Sequence, residues 1–256
     1  MSLVVRDLAV SFGGVAALAG VTFRVEPGTI TSLIGPNGAG KTTAFDAITG
    51  YVRPLRGQIG YGDAALSGLR PCEIAARGIV RTFQRTSVFP QLTAFDNVLT
   101  GLHLRGTATL AGILGGSRRV RTEETRLARD ADAILTFVGL AGRRRRRAVE
   151  LAGGEQRLLE LAVALAARPR LLLLDEPGAG LTAAEKRSVT ALIRTIRDQG
   201  VTVLLVEHDM RLVMGISDRV LVLNGGRLIA DGSAADVQRD PEVIRAYLGA
   251  SAHAVS

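Results

Sequence analysis

Apolar runs of strand length, each closed by a glycine-rich or acidic turn, recur along the chain. Nothing from Leu8 to Phe23 is charged, and Gly13-Gly14 divide that run into two strand-sized pieces joined by a turn. In "TITSLIGPNGAGKTT", 29–43, a β-rich run enters a glycine-rich loop, and "KTTAFDAITG" then reads as a helix closed by Gly50. "LLLLDEP", 171–177, opens with four leucines, the pattern of a strand buried on both faces of a parallel sheet. "LLVEHDM", 204–210, ends another strand, and "NGG" at 224–226 reads as a hairpin turn between two more.

Helical spacing appears between these strands. "GEQRLLELAVALAAR", 154–168, and "EETRLARDADAILTFVGL", 123–140, repeat apolar residues at helical intervals, with Glu155 in the first turn of the former. The segment 105–125, "RGTATLAGILGGSRRVRTEET", leaves a glycine-rich surface loop and a helical hairpin equally open. Strands alternating with helices imply an α/β fold with a parallel sheet.

Composition adds a few limits. Apolar residues make up 47% and charged residues 22% of 256, a globular profile with room for a sizeable core, divided into lobes or not. The net charge of +8 favours an anionic partner without choosing among nucleic acid, a phosphorylated ligand and an acidic membrane face. The only lysines are Lys41 and Lys186; this arginine bias is read first as base composition, with the secondary reading that a lysine marks a place where a compact ammonium is wanted. Cys72 is alone, which rules out an internal disulfide and suits a reducing compartment. No uncharged run is long enough to span a bilayer. "ALA" at 17–19 resembles a signal-peptidase site, but Arg6 and Asp7 cancel ahead of it and the glycine pair interrupts it. The expectation is a strand–turn–strand in a cytoplasmic protein.

The first glycine-rich loop fits G-x-x-x-x-G-K-[ST] at Gly35, Gly40, Lys41 and Thr42. Gly35, Gly38 and Gly40 let backbone N–H groups converge where side chains would obstruct a phosphate. The helix beginning near Lys41 adds its positive end. The Lys41 ammonium suits the β- and γ-phosphates, the Thr42 hydroxyl suits Mg²⁺, and Thr43 suits the α-phosphate. Pro36, Asn37 and Ala39 complete the cradle. Asp175 then suits Mg²⁺ through water, and Glu176 is placed to orient or deprotonate the attacking water. Acids at a strand end also serve as solvated turn residues, but the loop upstream favours catalysis.

With these elements in place, the chain resembles the ATP-binding subunits of ABC transporters over nearly its whole length. "RTFQ", 81–84, is similar to the family's Q-loop, "LAGGEQR", 151–157, to its signature loop, and "GAGL", 178–181, to its D-loop. His208 occupies the switch position, and Phe12 the place of the aromatic that stacks on adenine. The resemblance implies an ABC-type P-loop NTPase: a RecA-like core with an antiparallel β lobe from 1–84 and 156–256, and an inserted helical lobe, 85–155. It implies Mg²⁺-ATP held by Thr42, Gln84 and Asp175, with Glu176 activating water and His208 holding the γ-phosphate and orienting Glu176. It also implies that Ala152, Gly153, Gly154 and Glu155 serve the nucleotide of a partner subunit in a head-to-tail dimer. Ala152 stands where serine usually donates to that phosphate, and Thr182 follows the D-loop where an acid or amide is usual.

Within the family, 207–232 and "DPEVIRAYLG", 240–249, resemble the branched-chain amino acid importer ATPases, although lipopolysaccharide-export ATPases share much of the latter. Implied partners are integral membrane permease subunits, a second ATPase in a heterodimer (a homodimer being possible), and indirectly a solute-binding protein. The implied location is the cytoplasmic face of the inner membrane. Urea import and lipopolysaccharide export remain alternatives. A soluble ABC ATPase acting on nucleic acid is less favoured, because aromatics are 4% of the chain and basic residues are not interleaved with them. Residues 85–105 are expected to meet the permease, with Phe89 and Phe95 as anchors or as lobe core. "RRRRR", 143–147, reads as a solvated loop in preference to a lipid contact. His103 and His253 lack ligand-spaced companions.

Overall fold

The structure, a computed structural model, describes residues 1–82, 88–103 and 118–252. Gln84, His253 and most of the 105–125 segment therefore lie outside the described residues.

Strand β1 (Leu3–Phe12) and β2 (Val15–Val25) form an antiparallel hairpin about Gly13 and Gly14, whose φ values of 55° and 87° suit a two-residue hairpin turn. With β4 (Arg56–Tyr61) and β5 (Ala64–Ala65) they make a four-stranded sheet in the order β2-β1-β4-β5. The second sheet runs β10-β9-β3-β8-β7-β6. Its strands are β3 (Ile30–Ile34), β6 (Ile79–Arg81), β7 (Leu171–Asp175), β8 (Thr202–Val206), β9 (Arg219–Asn224) and β10 (Arg227–Gly232). Neighbours from β9 to β6 pair in parallel, and only β10 runs antiparallel. Every residue of β3, β7 and β8 is buried, which is why those strands are mainly apolar in sequence, with Thr31, Ser32, Asp175 and Thr202 as buried polar exceptions. The expected turn in "NGG" joins β9 to β10 through Gly225 and Gly226.

The helices are α1 (Lys41–Ile48), α2 (Pro71–Ala76), α3 (Ala94–His103), α4 (Arg118–Phe137), α5 (Gly153–Ala166), α6 (Ala183–Asp198), α7 (Met210–Ile216), α8 (Ala234–Arg239) and α9 (Pro241–Ala252). Helix α4 starts earlier than the spacing suggests. Arg118, Arg119 and Arg121 are good helix formers, and no glycine or proline interrupts them.

The chain divides into two compact units. The first comprises 1–81, 170–179 and 193–256 and holds both sheets. Its main core joins Leu3, Leu8 and Phe23 to Phe45, Ile48, Leu173 and Leu204, while a smaller cluster packs Val237 and Val243 of the C-terminal helices against Ile34 and Val222. The second unit comprises 82–169 and 180–192. There α3 packs on α4 and α5, with Val98, Leu102, Leu127, Leu135 and Leu159 buried. Among the described residues no helix is long and apolar enough to cross a membrane.

Candidate functional site

The buried strand β3 delivers the chain to Gly35, and α1 begins six residues later at Lys41. Between them the loop is set against neighbouring backbone. A Cβ on Gly40 would lie 2.6 Å from the Ala17 carbonyl oxygen, and Gly40 itself adopts φ 102°. The Ala39 N–H donates to Pro36 O at 3.2 Å, and Ala39 O accepts from Gly226 N–H at 3.1 Å. Ala39 is thereby buried, whereas Asn37, Gly38 and Thr42 are exposed, and Thr43 is half-buried. Lys41 is 7% exposed; its Nζ donates to Gly35 O at 2.7 Å and Pro36 O at 2.9 Å. Burial pushes the ammonium pKa down, while the negative fields of Glu176 and Asp175 oppose that shift. The lysine and both carboxylates thus share one electrostatic neighbourhood. Phe12, at the end of β1, is 53% exposed.

Asp175 closes β7 at 1% exposure. Its Oδ2 accepts from Arg81 Nη2 at 2.8 Å, and Arg81 Nη1 reaches Asp46 Oδ1 at 2.5 Å. The same guanidinium lies 5.4 Å from the Phe45 ring centroid. Burial raises the Asp175 carboxyl pKa, and Arg81 acts in the opposite direction. The next residue, Glu176, has φ 51°, a left-handed conformation that is rare for a residue with a side chain. Because β7 and β8 pair in parallel with Asp175 opposite Val206, the residues following both strands meet. His208 Nε2 lies 2.5 Å from Glu176 Oε1.

The second glycine-rich loop belongs to the second unit and opens α5. Ala152 caps the helix without a side-chain acceptor, and Glu155 turns back to take the Ala152 N–H at 3.2 Å. Arg143 holds the other Glu155 oxygen at 2.7 Å, which pulls that carboxyl below its usual range. Gly154 N–H donates to Glu185 Oε1 at 3.2 Å, while Glu185 Oε2 accepts from Thr182 N–H and Oγ1, each at 2.8 Å. Gly153 meets no other group within 4 Å of a Cβ placed on it.

The arginine run is largely engaged. Arg144 pairs with Asp132 and stacks over the Phe95 ring at 3.7 Å, Arg147 pairs with Glu150, and Arg143 with Glu155. Phe95 is thus half-buried beneath an arginine. Phe89 is 56% exposed, and the buried Asn97 fixes its backbone by accepting Phe89 N–H at 2.7 Å and donating to Phe89 O at 3.1 Å.

Four residues of these sites escaped the sequence reading. Glu185 completes a T-x-x-E capping box with Thr182, the residue already noted after the D-loop, and that local signal was legible. Arg81 was visible only as the first residue of the Q-loop-like "RTFQ", and Glu207 only as an acid beside His208. Tyr247 of α9 left no signal; burial pushes its phenol up to about 12, with the Gly35 backbone acting the other way.

The profile described as ABC transporter matches residues 18–179, more than half of the chain. The chain belongs to the ABC transporter family. A second profile, described as Branched-chain amino acid ATP-binding cassette transporter, matches residues 227–253 of this ABC ATPase. Over 249 residues it is 43% identical to the high-affinity branched-chain amino acid transport ATP-binding protein LivG of Escherichia coli K12, covering 96% of this chain and 97% of that protein. The corresponding protein BraF of Pseudomonas aeruginosa gives the same identity and coverage. Among solved structures, the ADP conformation of an ABC transporter ATP-binding cassette superposes with a TM-score of 0.85 at 31% identity, covering 97% of this chain and 99% of that one. A nucleotide-free cassette gives 0.84 at 30% identity, covering 96% and 99%. The expected ABC-type α/β fold is borne out, and with it the class of ATPase.

Proposed function

We propose that this ABC ATPase energises branched-chain amino acid import by closing a head-to-tail dimer on Mg²⁺-ATP at the cytoplasmic face of the membrane. The observation that carries the catalytic part is the Glu176–His208 pair, 2.5 Å apart beside a P-loop whose lysine feels both Asp175 and Glu176. The substrate follows from 43% identity to LivG and BraF, each named for branched-chain amino acid transport.

Phe12 stacks the adenine, residues 35–43 hold the phosphates, and Lys41 swings its ammonium from the loop carbonyls to the β- and γ-phosphates. The Thr42 hydroxyl and Asp175 carboxylate are hard oxygen donors that fit Mg²⁺, with Gln84, outside the described residues, as a third. Bound by these residues, the cation would supply positive charge against that of the phosphates. Glu176 takes a proton from the attacking water, and His208 orients Glu176 and contacts the γ-phosphate. Gly153, Gly154 and the start of α5 hold the γ-phosphate of the partner's nucleotide. The helical lobe, centred on the exposed Phe89, passes the motion to permease subunits, and the second ATPase is a different chain.

The reading is tested by leucine uptake in cells lacking this chain and complemented with wild-type or Glu176→Gln protein. Uptake is expected only with the wild type. Normal leucine uptake without the chain, combined with lost urea uptake or lipopolysaccharide export, would reassign the cargo.

Ala152→Ser restores a donor to a charged oxygen, worth about 1.5–3 kcal/mol. ATP-dependent dimer affinity should rise on the order of 10- to 100-fold, measured by sedimentation with hydrolysis blocked. Unchanged affinity would place the phosphate away from this loop.

A further inference from the structure

We propose that Glu207 is a positioning residue for Glu176: its carboxylate ties the turn after β7 to the turn after β8 and keeps Glu176 facing His208. The inference rests on the reading of Glu176 as the water-activating group.

Glu207 is only 4% exposed, and both of its oxygens are engaged by backbone. Oε1 accepts from Gly178 N–H at 2.7 Å. Oε2 accepts from His208 N–H at 3.0 Å and Asp209 N–H at 3.3 Å. Charge-assisted bonds of this kind are stronger than neutral ones and compensate the burial of a carboxylate.

The bonds fall on either side of the strained residue. Glu176 adopts φ 51°; its own N–H donates to Val206 O at 2.9 Å, and its carbonyl accepts from Ala179 N–H at 3.0 Å. Gly178, two residues on, is held by Glu207. The left-handed turn is therefore fixed before and after Glu176 by atoms of the β8 exit, the segment that also carries His208. A strained conformation persists only where its surroundings over-determine it, and here the surroundings are these bonds.

Gly178 reports independently how closely the carboxylate approaches. Its φ is not positive, so the backbone conformation does not require glycine there. Space does: a Cβ would lie 2.6 Å from Glu207 Oε1 and 3.2 Å from Leu212 Cδ1. Beyond His208, Asp209 caps α7 by accepting from Arg211 N–H at 3.0 Å and Leu212 N–H at 3.3 Å. The staple thus ends on a helix rather than on a free loop.

The test compares Glu207→Ala, Gly178→Ala, their combination, and Glu207→Gln in the purified transporter. Misplacing a reacting group by about 1 Å can cost 10²-fold, so Glu207→Ala should lower kcat by at least about 10-fold. Binding of a fluorescent ATP analogue should stay within about 2-fold of wild type, since the P-loop is untouched. Glu207→Gln keeps the volume but turns an NH₂ group toward backbone donors, and should also lose kcat. Gly178→Ala alone should lower kcat, but should add little once Glu207 is alanine, because its clash partner is gone. Wild-type kcat in Glu207→Gln, equal losses of kcat and nucleotide affinity, or additive effects of the two alanines would overturn the proposal. Glu176→Gln, run in parallel, separates the failures. If it stays active, the reading of Glu176 falls; if it is inactive while Glu207→Ala turns over normally, only the staple falls.

Discussion

Glu176→Gln is expected to lower ATP turnover by at least about 10²-fold, the usual scale for a lost general base, while Mg²⁺-ATP binding is kept. Glutamine preserves the size of the side chain and one acceptor oxygen, so the contact with His208 Nε2, now 2.5 Å, can persist in a neutral form. What disappears is the capacity to take a proton from water. Nucleotide binding, which the proposal assigns to the Gly35–Thr43 loop with Lys41 held on Gly35 O and Pro36 O, should be kept because that loop is left intact. Phosphate release with excess Mg²⁺-ATP measures the first quantity, and nucleotide titration the second. Turnover near the wild-type rate would remove Glu176 from the chemistry.

Arg81→Ala should be the most destabilising single change in the nucleotide-site unit. The Arg81 side chain is 5% exposed and bridges Asp46 and the buried Asp175. Breaking a buried ion pair by deleting one partner typically costs about 3–5 kcal/mol, because a desolvated charge loses its counter-charge. For a chain of this size that lowers Tm by about 6–20 °C. Thermal unfolding without nucleotide reads the effect directly. A loss below about 1 kcal/mol, the range of surface pairs, would mean that Asp175 draws little from this guanidinium.

Local patterns made much of this architecture legible. Strands β3, β7 and β8 are predominantly apolar because parallel strands are buried on both faces. The P-loop combines a fixed spacing with a strand before and a helix after, so its conformation is encoded within fifteen residues of sequence. Arg81 and Glu207 are different. Arg81 meets Asp175 across 94 positions of sequence, and Glu207 meets Gly178 across 29, in pairings that exist only after the sheet has set its strand order. The arginine run is largely exposed, as a solvated loop should be, but its partners were not legible: Arg143 and Arg144 find Glu155 and Asp132 on helices α5 and α4. Charge patterning gives the sign of a segment, and tertiary placement decides what neutralises it.

The most direct measurement is to tag the chain in its own cell, solubilise membranes with Mg²⁺-ATP present, and identify the co-purifying proteins. Two different polytopic subunits and a second ATPase are expected, as for an importer in which each signature loop serves the other chain's nucleotide. Recovery of this chain alone, self-associated and without membrane subunits, would contradict its role in transport.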